Sequence, residues 1–160
     1  MRHRRLEIFL YILAAFIALF GLADAIYLTV GHLTGQYAAC IASSGCETVL
    51  TSNYAAIGKV PVAAFGAAAY FTVFSLATLA AFGRAWVRPL FLWLVGMMLA
   101  TTGWFLYLQT FVLHAFCDYC LLSAALTGLL SAIAIAVFCI AKKDANGAAQ
   151  SDVGARPGQT

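Results

Sequence analysis

The chain has 160 residues, 64% hydrophobic and only 9% charged, with a net charge of +3 and a mean hydropathy of +0.93. So few charges exclude a soluble globular domain of this length and indicate a membrane protein built as one small bundle. The positive excess does not call for nucleic acid, because the basic residues follow topology. Arg2, Arg4 and Arg5 precede the first apolar run, Arg84 and Arg88 separate the middle runs, Lys142 and Lys143 follow the last, and Arg156 lies in the tail. Only Lys59 falls in the other compartment of a four-span arrangement. The positive-inside rule then places both termini and the Arg84–Arg88 turn in the cytoplasm, with the loop 31–60 and the turn near His114 facing outward.

The expected architecture is an all-α membrane protein, a four-transmembrane-helix bundle over residues 1–141. Its spans cover about 6–30, 62–82, 90–113 and 116–141, each long enough for a hydrocarbon core of about 30 Å. The first run follows arginines, and Ala23-Asp24-Ala25 resembles a small-x-small cleavage site, so a signal peptide is the competing reading. The run is longer than a signal core and continues through Ile26-Tyr27-Leu28, which favours a span. Asp24 lies inside it. An ionisable group at that depth is either functional, facing the bundle interior or water, or an interfacial acid hydrogen-bonded to a neighbouring helix.

The outer loop 31–60 carries Cys40-Ile-Ala-Ser-Ser-Gly-Cys46, whose small and glycine-containing insert makes a flexible tether. After it, Glu47 to about Ala55 is expected to form a short amphipathic helix on the membrane surface. Pro61 suits the first turn of the second span, whose start, Ala63-Ala64-Phe65-Gly66-Ala67-Ala68-Ala69-Tyr70, is rich in small residues that permit close helix approach. The third span contains Gly96, Gly103, Trp104, Phe105 and Tyr107. Residues 142–160 are small and polar and read as a disordered cytoplasmic tail.

The fourth span opens on Cys117-Asp118-Tyr119-Cys120. Two thiols at i and i+3 on a helix share a face, with Cα atoms about 5–6 Å apart, inside the range a disulfide needs. Entering from outside, the helix puts Cys120 about 4–5 Å deeper than Cys117, so Cys117 is placed to meet the loop and Cys120 to meet something dissolved in the membrane. A helix N-terminus favours a thiolate, while Asp118 opposes this modestly and reads best as a first-turn acid. The tether between Cys40 and Cys46 spans up to about 20 Å or folds back to close a disulfide. Cys46 can therefore reach Cys117 with Cys40 open to a partner, the serial contact that thiol–disulfide exchange requires. Disulfides persist on the outward side, where all four of these cysteines fall. Cys40–Cys46 as an inert staple remains open. A Cys-x-x-Cys is also half a zinc site, but no third or fourth Cys or His has zinc spacing. His32 and His114 read as interfacial side chains and Cys139 as a small buried apolar residue.

Taken together, Cys-x5-Cys, Ser52 six residues on, the span start Pro-Val-Ala-Ala-Phe-Gly and the Cys-x-x-Cys opening the fourth span resemble the vitamin K epoxide reductase family, in its bacterial branch. Gly21-Leu22-Ala23-Asp24-Ala25-Ile26-Tyr27-Leu28 is similar to bacterial members as well, and the resemblance covers about residues 8–141. It implies a quinone-linked thiol oxidoreductase. Cys40 would accept electrons from a thioredoxin-like exported protein, Cys46 would pass them to Cys117, and Cys120 would contact the quinone ring, with Ser52 assisting. A quinone (ubiquinone or menaquinone) would be the electron sink and no metal is implied. The protein would drive disulfide formation from the bacterial inner membrane, its active site facing outward. Val62 and Ala124 stand where the animal enzymes carry Asn and Tyr, which favours quinone over epoxide as the substrate. Many bacterial relatives carry a fused thioredoxin-like domain; here the expected partner is a separate protein. The quinone pocket is expected among the outer halves of the spans, with Phe65, Phe105 and Asp24 joining Cys120 in lining it.

Two other readings compete. One is a structural or assembly protein with a loop staple, claudin-like, against which stands the lack of a Gly-Leu-Trp element before the loop cysteines. The other is the unrelated four-helix quinone-linked disulfide generator, in which the Cys-x-x-Cys comes in the first outer loop, the reverse of the order here.

Overall fold

The computed structural model describes residues 2–35, 45–52, 54–57 and 60–154. Helix α1 spans Arg2–Thr34, α2 Cys46–Leu50, α3 Val62–Ala81, α4 Arg88–Tyr107 and α5 Asp118–Gly154, with a two-residue antiparallel pairing of β1 (Ala56–Ile57) and β2 (Val60–Pro61) before α3. Among the described residues, four segments are long and apolar enough to cross a membrane: Arg4–Thr34, Val62–Ala81, Ala85–Val112 and Asp118–Lys143. The protein is an integral membrane four-helix bundle. Its outward side chains, such as Phe16, Phe20, Phe71, Trp93 and Phe138, are apolar and exposed, as they must be against hydrocarbon.

Helix α1 packs most extensively on α3, and α5 packs against both α1 and α4. Small residues set the α1–α3 distance. A Cβ at Gly66 would sit 3.8 Å from that of Ala25. At Gly21 a Cβ would overlap the ring of Tyr70, which is buried with its hydroxyl bonded to Ser123 Oγ at 2.9 Å and Thr127 Oγ1 at 3.0 Å. Gly21→Ala is therefore expected to destabilise the bundle by about 1–3 kcal/mol, read as a lower unfolding midpoint in detergent. Combining it with Tyr70→Ala should cost less than the two single changes added; strict additivity would count against the contact.

Helix α3 ends through Gly83, at φ +87°, in a Schellman motif: Gly83 N–H donates to Ala80 O at 2.9 Å and Arg84 N–H to Leu79 O at 3.2 Å. Beyond it, Arg88 pairs with Glu7 at 2.9 Å, so the start of α1 and the α3–α4 turn share one end of the bundle. Tyr11 packs edge-on to Phe91 in the next layer. The cysteine segments lie at the other end.

Several boundaries differ from those expected. The loop helix stops at Leu50 instead of continuing to Ala55, because Ser52 turns the chain: its N–H and hydroxyl both bond to Val49 O. The fourth long helix starts at Asp118, two residues later than expected, and runs to Gly154 instead of giving way to a disordered tail at 142. Extending an existing helix adds a hydrogen bond per residue without a new nucleus, and Ala145, Ala148 and Ala149 favour it. Cys139, expected buried, is exposed, on a face of α5 shared with the exposed Ile135 and Phe138.

Candidate functional site

The third span does not end as a regular helix. Leu108–Val112 forms a π-helical turn, with Leu113 N–H donating to Leu108 O at 2.8 Å, and His114 follows at φ +47°. Such bulges re-aim side chains at functional sites. Here it turns Gln109 inward, where its side chain is 2% exposed. Gln109 Oε1 accepts the Cys117 N–H at 3.1 Å, and its backbone oxygen accepts the Ala115 N–H at 3.2 Å. Left unpaired, that buried Cys117 N–H would cost about 1–3 kcal/mol.

Cys117 is the N-cap of α5: its carbonyl accepts the Leu121 N–H at 2.9 Å. Cys120 lies one turn further in. Both are free thiols, Cys117 buried and Cys120 partly exposed. The Cys117 thiol is lowered to about 7, first by the hydrogen bond it receives from the Cys120 thiol, with burial and the charge of Asp24 opposing. Tyr119, between them, packs against Tyr27 of α1 with ring centroids 5.5 Å apart.

Cys46 begins α2, is buried and is disulfide-bonded. Gly45 before it lies against the Phe116 backbone, where a Cβ would be 2.6 Å from the carbonyl oxygen and 2.8 Å from the nitrogen. The residues that follow these two adjoining backbones are Cys46 and Cys117, so the loop cysteine and the outer thiol of the pair each stand one residue from the same contact. Cys40 lies outside the described residues.

Below this contact a cavity of about 380 Å³ opens between α1, α3, α4 and α5. Asp24, Ser52, Phe65, Phe105 and Cys120 all line it. The Ser52 hydroxyl donates to Val49 O at 2.8 Å and keeps lone pairs free to accept. Val62 and Ala124 line it too, leaving those positions without a donor. The sequence reading missed Gln109, Tyr70, Ser123 and Thr127, which also face this space. One signal was available: Ser123, Thr127 and Ser131 recur every four residues along the last span, a polar stripe in an apolar helix. Size and lining suit a flat apolar ring with a long tail. Among the described residues, no group of three or more His, Cys, Asp or Glu is placed to hold a metal ion.

A family model described as the Vitamin K epoxide reductase family matches residues 12–135, most of the chain. The chain belongs to that family.

Proposed function

We propose that this member of the vitamin K epoxide reductase family oxidises a thioredoxin-like exported protein and reduces a membrane quinone, driving disulfide formation. Family membership carries the general activity, a quinone-linked thiol oxidoreductase. The finer reading is supported by one arrangement: Cys117 follows Phe116, whose backbone adjoins the Gly45 that precedes the loop cysteine, while Cys120 lines an apolar cavity. A pair so placed exchanges with a protein disulfide on one side and meets a lipid-soluble acceptor on the other.

Each residue then has a task. Cys40 meets the partner, Cys46 exchanges with Cys117, and Cys117 and Cys120 close a disulfide as two electrons leave for the quinone. A quinone supplies the two-electron sink; Phe65 and Phe105 hold its ring and exclude water. Gln109 fixes the Cys117 backbone, and Ser52 holds the turn that closes the cavity. Val62 and Ala124 provide no donor for an epoxide oxygen, which supports quinone as the substrate. The basic residues support cytoplasmic termini, with this chemistry on the outer face of the bacterial inner membrane.

Anaerobic mixing of the detergent-solubilised protein with a reduced thioredoxin-like protein and either ubiquinone or menaquinone should convert the quinone spectrum to that of the quinol. Both reactants should be required. No spectral change with either quinone would remove the proposal.

A further inference from the structure

We propose that Asp24 carries a proton between the Cys117–Cys120 thiols and the quinone oxygen, an inference that rests on the quinone-reducing function proposed above. Asp24 belongs to α1, well inside the first span, and is 9% exposed. Its Oδ2 is buried and has no hydrogen-bond partner. The residue lines the same cavity as Cys120, near enough to the pair for its ionisation to be felt at Cys117.

The setting argues against a structural acid. A carboxylate kept in a membrane interior for stability is paired or fully hydrogen-bonded, since an uncompensated one costs several kcal/mol. Among the described residues, the cavity lining contains no lysine or arginine. His32, also in the lining, is eight residues further along α1, about 12 Å away on an ideal helix. The neutral acid is the form such a wall tolerates, and it presents an O–H donor to whatever enters. The α1–α3 contact at Ala25 and Gly66 fixes the helix at this level.

The chemistry needs such a group. Closing the Cys117–Cys120 disulfide removes two electrons and two protons from the sulfurs, and the quinone takes up both electrons and both protons. Asp24 gives its proton to the nearer ring oxygen, and the carboxylate so formed takes a proton leaving the thiol pair. The second thiol proton goes to the other oxygen. The S–S bond forms, both S–H bonds break, and Asp24 ends as it began, so no further reactant is needed.

Asp24→Asn keeps the size and polarity of the side chain and removes the exchangeable acid proton. In single-turnover mixing of the reduced protein with quinone, it should slow quinol formation by about 100-fold, within the range of general acid–base catalysis. Quinone affinity, from quenching of tryptophan fluorescence, should stay within about 3-fold, the margin that separates a lost step from lost binding. Asp24→Glu should restore part of the rate. Infrared difference spectra of the wild-type protein should carry a carboxylic acid band that changes when quinone is added, and Asp24→Asn should lack it. A wild-type rate in Asp24→Asn, or a raised KM with unchanged kcat, overturns the assignment. If the variant does not fold, absence of the carboxyl band from the wild type does so as well. A wild-type protein that reduces no quinone removes the underlying function instead, so the two failures are told apart.

Discussion

Replacing Cys120 with alanine should end quinol formation while leaving Cys117 able to exchange with the loop disulfide. Two-electron transfer from thiols requires a second sulfur to close the bond, and Cys120 is the member of the pair in the cavity wall. The change should also be felt at Cys117. The hydrogen bond from Cys120 is the largest influence holding that thiol at about 7, so about half of it is thiolate at neutral pH. Without it, Cys117 moves back up towards the ordinary cysteine value of about 8.5, and only a few per cent is ionised at pH 7. Exchange through Cys117 should accordingly fall by about 3-fold at pH 7, because the loss of thiolate outweighs the greater nucleophilicity of a more basic sulfur, and recover as the pH rises through 8.5. Quinol formation should not recover at any pH. Cys117→Ala should differ: it leaves Cys120 facing the quinone with no sulfur to close on, so the quinone spectrum is perturbed without turnover. Quinone spectra and mixed-disulfide trapping read the two halves separately. Unchanged turnover in either variant would remove the roles given to the pair.

Much of this arrangement was legible in the residues, for identifiable reasons. Spans are read from hydropathy because hydrocarbon demands it, and Glu7–Arg88 joins the ends that the arginine pattern places together. Asp24, Phe65, Phe105 and Cys120 come from four different helices yet line one cavity, since each falls in the half of its span nearer the Cys117 end of the bundle. What escaped is tertiary. The π-helical turn at 108–112 has no composition signal, and without it Gln109 has no evident direction. The hydroxyl of Tyr70 finds Ser123 and Thr127 only once the bundle has placed α3 within reach of α5. The extension of α5 to Gly154 is set by propagation from the span, which local polarity obscured.

Gly45→Ala should slow partner-driven turnover by about 100-fold without touching a cysteine. At this position the side chain would meet backbone, 2.6 Å from Phe116 O and 2.8 Å from Phe116 N, so no rotamer change relieves the overlap. The loop must lift away, carrying Cys46 with it, while Cys117 stays tied by its N–H to Gln109 and by its carbonyl to Leu121. Displacement of reacting groups by about 1 Å is enough for a loss of this size. The cavity and the Cys117–Cys120 pair are left as they were. Dithiothreitol, a small dithiol able to reduce that pair directly, should therefore still drive quinone reduction at close to the wild-type rate. Gly103→Ala is the matched control, since a Cβ there meets nothing within 4 Å. Equal losses with the protein partner and with dithiothreitol would mean that the bundle itself had been damaged. A wild-type rate with the partner would mean that electrons do not pass where Gly45 meets Phe116, and the route from Cys46 to Cys117 would have to be abandoned.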